Sequence, residues 1–147
     1  MNELVKLETD ALAAMNSGEF RLAISLYEKI VNENPNWEHG QAFYNLAGCY
    51  EYIGDIKAAE TNYLRALSIA PKNWYFVGGY ADFLDQYGDL KAAFDWYLKL
   101  LRIESESKPV TWTVENQKVL DDIKLTLYGL GEKLGWNKDE VDRRAVT

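Results

Sequence analysis

Along "NLAGCYEYIGDIKAAETNYLRALSIAP", Asn45 to Pro71, the residue pattern reads as helix on both sides of Gly54 and stops at a proline. A glycine reaches positive φ without steric cost, so it can turn one helix back on another, and proline cannot extend a helix. The stretch therefore predicts helix, turn, helix. The same device recurs. "LVKLETDALAAMNSGEFRLAISLYEKIVNENPNW" from Leu4, "GQAFYNLAGCYEYIGDIKAAETNYLRALSIAPKN" from Gly40 and "WYFVGGYADFLDQYGDLKAAFDWYLKLLRIESES" from Trp74 align residue by residue. Gly18, Gly54 and Gly88 are the predicted turns, and Glu38 and His39 are the two extra residues between the first and second units. An acidic residue follows each turn, Glu19, Asp55 or Asp89, where the dipole of the next helix favours negative charge. Ala23, Ala59 and Ala93 are small enough for two antiparallel helices to approach, and Tyr27, Tyr63 and Tyr97 lie one turn further on the same face. Pro35 and Pro71 close the first two units.

Beyond the repeats, residues 106–147 read as a polar connector, "ESESKPVTWT", and a cap. Val119, Ile123, Leu127, Leu130 and Leu134 predict an amphipathic helix. A turn at Gly135 and a capping box of Asn137 with Glu140 predict one more helix. The exposed end of a repeat stack needs such a cap, and a degenerate fourth unit is the alternative reading.

The repeated pattern resembles the tetratricopeptide repeat (TPR) family, in which an aromatic, Leu-Gly and Tyr mark the first helix and Ala, an aromatic and Pro the second. The second unit carries Phe43, Leu46-Ala47, Tyr50, Ala59, Tyr63 and Pro71. The first keeps Leu7, Ala11, Ala14, Ala23, Tyr27 and Pro35, with Asp10 where Leu is usual. The third keeps Val77, Tyr80-Ala81, Leu84, Ala93 and Tyr97, with Ser105 in place of Pro. The resemblance implies an all-α, right-handed α-solenoid of antiparallel helix pairs. Its domain organisation would be three repeats over residues 1–105 (approximately 4–37, 40–73 and 74–107) and a linker with capping helices over 106–147. It also implies a concave face lined by the first helix of each unit, and a protein or peptide as partner.

Helical geometry then selects the side chains opposite the packing set. They are Val5, Glu8, Leu12, Met15 and Asn16 in the first unit, and Gln41, Tyr44, Gly48, Glu51 and Tyr52 in the second. In the third they are Tyr75, Gly78, Asp82, Asp85 and Gln86. This predicted groove holds tyrosines, carboxylates and an apolar patch, with no Lys or Arg at these positions. Such a surface suits a partner segment rich in basic or aromatic residues. Family members that clamp a C-terminal carboxylate use Lys, Asn and Arg at positions that here hold Glu8 and Leu12, Asn45, and Tyr75 and Gly79. Only Asn45 matches, so a co-chaperone role of that kind is disfavoured.

Charge and composition narrow the classes further. The net charge of -7 repels phosphate backbones, so nucleic acid is not expected as a partner. The N-terminus has no basic segment followed by an apolar run, and no stretch is apolar enough to insert in a membrane. With one cysteine, nothing demands an oxidising compartment, and the expectation is a cytoplasmic protein. His39 is the only histidine, and Cys49 reads as a small packed residue. No catalytic set, metal site or cofactor motif is expected, and therefore no enzyme. The expected role is an adaptor or chaperone-like interaction module. The alternatives are a self-associating structural repeat, whose groove its own C-terminal helix or a second copy fills, and an inhibitor or immunity-type binder.

Overall fold

A computed structural model describes residues 2–106 and 113–146, the last by its backbone alone. Most of the polar connector, residues 107–112, lies outside the described residues. The described chain is helical: α1 (Glu3–Asn16), α2 (Phe20–Glu33), a 3-10 turn (Trp37–Gly40), α3 (Gln41–Tyr52), α4 (Ile56–Ile69), α5 (Trp74–Tyr87), α6 (Leu90–Glu106), α7 (Val114–Lys133) and α8 (Lys138–Val146). They form two compact units divided between Phe76 and Val77, within α5.

In the first unit α1 packs on α2, α2 on α3 and α3 on α4. Ala23 and Ala59 are wholly buried at the helix crossings, beside buried Tyr27 and Tyr63. The turns form as the sequence predicts, with Gly18 at φ 79° and Gly54 at φ 82°. The acids that follow them differ. Asp55 caps α4, its carboxylate accepting from the Ala58 amide at 3.1 Å, whereas Glu19 makes no such bond. The shorter Asp side chain places its oxygen at the first free amides, and Glu is one methylene too long for that geometry. Helices α2 and α4 stop two residues before Pro35 and Pro71. Asp10, standing where the family carries Leu, is exposed and pairs with Lys6 at 3.0 Å.

The two extra residues of the repeat have a structural signature. Glu38 and His39 take left-handed conformations, φ 50° and 54°, and Gly40 follows at φ 99°. Side chains at positive φ carry strain, so the insertion is absorbed in one short left-handed segment, with the helices on either side regular. Gly40 is buried, and a Cβ there would lie 3.2 Å from the Ala66 carbonyl and from Phe76.

In the second unit α5 meets α6 through Tyr80 against Trp96 (ring centroids 5.0 Å apart) and at Gly78, where a Cβ would lie in ordinary contact with Leu100 at 3.5 Å. Helix α6 packs on α7, and α7 on α8. Three expectations are corrected here. Gly88 lacks the positive φ of Gly18 and Gly54; a Cβ would instead crowd Leu84, at 3.0 Å from Cδ2 and 3.2 Å from its carbonyl. In α7, Leu120 is buried and Val119 is exposed. Val119 and Leu120 flank the Ile123, Leu127, Leu130 stripe about equally around the helix, so periodicity does not choose between them, and packing buries Leu120. At the last helix Asn137 does cap, accepting from the Glu140 amide at 2.9 Å, but the Glu140 carboxylate pairs with Arg143 and Arg144 in place of closing the box. With Ser105 in place of proline, α6 runs 17 residues against 14 for α2 and α4. Gly131 lies where α8 crosses α7: a Cβ would overlap Val141.

Candidate functional site

The first helices α3 and α5 contain no Lys or Arg. In the first unit, α3 presents Tyr44, Gly48 and Glu51 along one stripe, one turn apart. Tyr44 is half-buried in a cluster of rings. Its centroid is 5.0 Å from Tyr75, 5.1 Å from Phe76, onto which it stacks, and 5.5 Å from Tyr63, which it meets edge-on. Tyr75 is 51% exposed and Trp74, 5.7 Å from it, 56% exposed, so the cluster offers solvent a broad aromatic surface. Tyr63 is the hub. Its buried ring supports Tyr44, and its hydroxyl donates to Glu51 Oε1 at 2.9 Å. The carboxylate is thereby held in one orientation on a helix without a compensating cation.

Gly48 sits in this stripe with helical backbone, and a Cβ built there meets nothing within 4 Å. Neither conformation nor packing calls for glycine at that position, although it costs the helix about 1 kcal/mol relative to Ala.

Other residues of the predicted groove are engaged elsewhere. Gln41 donates to Asn45 Oδ1 at 3.0 Å, and Asn45 donates to the Tyr27 hydroxyl at 3.0 Å, a polar chain from α3 into the core. Burial pushes the Tyr27 phenol up to about 12; the bond from Asn45 works against the shift, and Cys49 and the Glu8 charge add to it. Glu8 and Met15 are half-buried and Leu12 is exposed. Tyr52 is 76% exposed and turns to Phe20, its ring parallel to that ring at 4.4 Å. Cys49 is a packed core residue, its thiol raised to about 11 by burial.

The second unit holds the remaining predicted carboxylates. Asp82 accepts a hydrogen bond from the Tyr97 hydroxyl, whose pKa is raised by burial, by that bond and by the charges of Asp82 and Asp85. Asp85 has an α7 cation, Lys133, 3.8 Å away.

The sequence assigned Tyr63 to packing alone. A buried phenol needs a partner for its hydroxyl, and the acid positions on the preceding helix were the signal that could have found this second role. The ring cluster also draws in Phe76 and Trp74, which the face pattern did not select. Among the described residues, no group of three or more His, Cys, Asp or Glu is placed to hold a metal ion, and no helix is long and apolar enough to cross a membrane.

Comparison with solved structures places this architecture among TPR-like proteins. The Yersinia enterocolitica type III secretion translocator chaperone SycD matches with a TM-score of 0.74 at 17% identity, over 90% of this chain and 86% of that one. SycD in complex with a peptide of the translocator YopD matches with 0.72 at 18% identity, over 90% and 98%. The Sgt2 TPR domain from Aspergillus fumigatus matches with 0.67 at 21% identity, over 90% and 83%. Identities this low carry the fold and nothing finer. No curated protein sequence matches the chain. The family described as Domain of unknown function (DUF6340) matches residues 9–121, and the chain belongs to that family.

Proposed function

We propose that this protein is a protein-interaction module, of adaptor or chaperone type, that holds a segment of a partner protein against the aromatic face of α3 and the start of α5. The observation that carries this reading is the solvent-facing ring cluster of Tyr44, Tyr75 and Trp74, set beside the oriented carboxylate of Glu51. Large rigid rings bury much apolar area at little cost in side-chain entropy, which makes them anchors of binding energy. The carboxylates and the absence of cations on α3 and α5 favour partners carrying basic or aromatic residues. SycD, which shares the fold, has been solved with a peptide of another protein in place, which supports this use of the architecture.

A displayed peptide library selected on the purified protein, with affinities of the selected peptides measured by calorimetry, tests the reading. Tyr75→Ala is expected to weaken binding by about 2 kcal/mol, as for a central aromatic anchor. Added salt is expected to weaken it further by screening the acidic face. Selected peptides that bind Tyr75→Ala and Tyr44→Ala as tightly as the parent would overturn the placement on this face.

A further inference from the structure

The open position over Gly48 has walls of different chemistry. On one side, a turn back along α3, is the Tyr44 ring; on the other, three residues on, is Glu51. From Tyr44 to Glu51 the stripe rises roughly 10 Å along the helix axis, which is room for one side chain laid lengthwise. The floor is bare helix, because nothing lies within 4 Å of where a Cβ would stand. Tyr63 fixes both walls from below, packing against Tyr44 and donating to Glu51 Oε1. The second carboxylate oxygen has no partner among the described hydrogen bonds. We propose that this slot receives a single long cationic side chain of the partner, its alkyl stem lying over Gly48 against Tyr44 and its charged head on Glu51.

The chemistry selects that ligand. An aliphatic chain ending in a cation needs an apolar surface for the stem and an anion at its end, and Lys and Arg side chains bury their stems in this way. An aromatic wall adds attraction for the cation. An oxygen already held by a buried phenol need not be ordered on binding, so the charge-assisted bond forms with less loss of side-chain freedom. A partner carboxylate would meet Glu51 with like charge, and a purely apolar side chain would leave it desolvated and unpaired. The proposal rests on the reading of this face as an interaction surface and names what one part of it recognises. Tyr63 acts here as a positioning residue.

The test uses the intact chain and two small probes, acetyl-arginine amide and its uncharged isostere acetyl-citrulline amide, followed by amide NMR. The arginine probe is expected to shift Tyr44, Gly48 and Glu51 saturably, and the citrulline probe to bind at least about five-fold more weakly. Glu51→Gln is expected to bring the two probes level. Tyr63→Phe, which keeps the ring and removes the hydroxyl, is expected to narrow the arginine preference while leaving citrulline binding unchanged; a merely structural role would weaken both alike. Gly48→Leu is expected to abolish binding without lowering Tm, since the position is open. Equal binding of both probes, shifts spread evenly over the acidic surface, or a preference untouched by Glu51→Gln would each overturn the proposal. The two readings fail separately. Selected peptides without cations that still depend on Tyr75 would leave the interaction face standing and remove the cation slot. Probe binding at Gly48 with no peptide selected would do the reverse.

Discussion

Helices α3 and α5 hold the same place in consecutive repeats, yet their acidic stripes end differently. On α3 the stripe is Tyr44, Gly48, Glu51; the matching residues on α5 are Gly78, Asp82, Asp85. Gly78 faces the Leu100 side chain 3.5 Å from its notional Cβ, whereas Gly48 faces open space. Asp85 has Lys133 nearby, while Glu51 is held by a neutral phenol and keeps its charge uncompensated on its own helix. One set of repeat positions thus serves internal pairing in the second unit and leaves an oriented carboxylate beside an open glycine in the first. Repeat position alone does not say which acids are available to a partner; the neighbours of each one decide.

The shared tyrosines give the largest test of this contrast. Tyr63→Ala and Tyr97→Ala each remove a buried ring, and each is expected to cost about 3–5 kcal/mol in denaturant unfolding. Only the first should also disorder the Tyr44 cluster, visible as a changed near-ultraviolet dichroism of the parent rings. If Tyr63→Ala left both stability and the ring signal unchanged, its role as hub would be lost.

Alkali probes other buried groups of the first unit, the Tyr27 phenol and the Cys49 thiol. In the folded state Tyr27 is raised from 10.0 to about 12 and Cys49 from 9.0 to about 11, both chiefly by burial. Both stay protonated when folded, while the unfolded chain releases the protons sooner. Their contribution is therefore complete below pH 9 and is lost as pH rises through 9–11 for Cys49 and 10–12 for Tyr27. Each should remove on the order of 1 kcal/mol per pH unit within its window. A flat stability profile across pH 9–11 would contradict the burial of Cys49. Tyr97 faces an anion where Tyr27 faces an amide, so Asp82→Asn should bring its titration down toward that of Tyr27, followed by tyrosinate absorbance.

Smaller effects sharpen the comparison at the glycines and the ion pair. Gly48→Ala is expected to stabilise the protein by up to about 1 kcal/mol, because helix propensity rises and nothing is displaced. Gly78→Ala should gain at least as much, because its Cβ would add an ordinary contact with Leu100 at 3.5 Å. A loss of stability in Gly48→Ala would show that the position is not open. Lys133→Met should cost about 0.5 kcal/mol or less, given the exposure of the pair, and that cost should vanish at high salt.

Helix, turn and helix were legible in the chain because local chemistry forces them. Gly18 and Gly54 adopt the positive φ their turns need, Asp55 and Asn137 cap as their side-chain length allows, and Pro35 and Pro71 end helices wherever they stand. The buried Ala23, Ala59, Tyr27 and Tyr63 followed from the repeat, since a face that recurs at one spacing must bury itself against its neighbour. Tertiary structure decided the rest. Gly88 looked like a third positive-φ turn and is instead a site of close approach to Leu84; Val119 and Leu120 both fit the helical period, and packing chose Leu120. The candidate site shows the same division. Sequence periodicity put Tyr44, Gly48 and Glu51 on one face, because that depends only on residues of one helix. That Tyr63 joins them, that Gly48 lies open where Gly78 is met by Leu100, and that Lys133 reaches Asp85 from α7 depend on side chains far apart in sequence. Those meetings are fixed by how helices pack, and no local pattern encodes them.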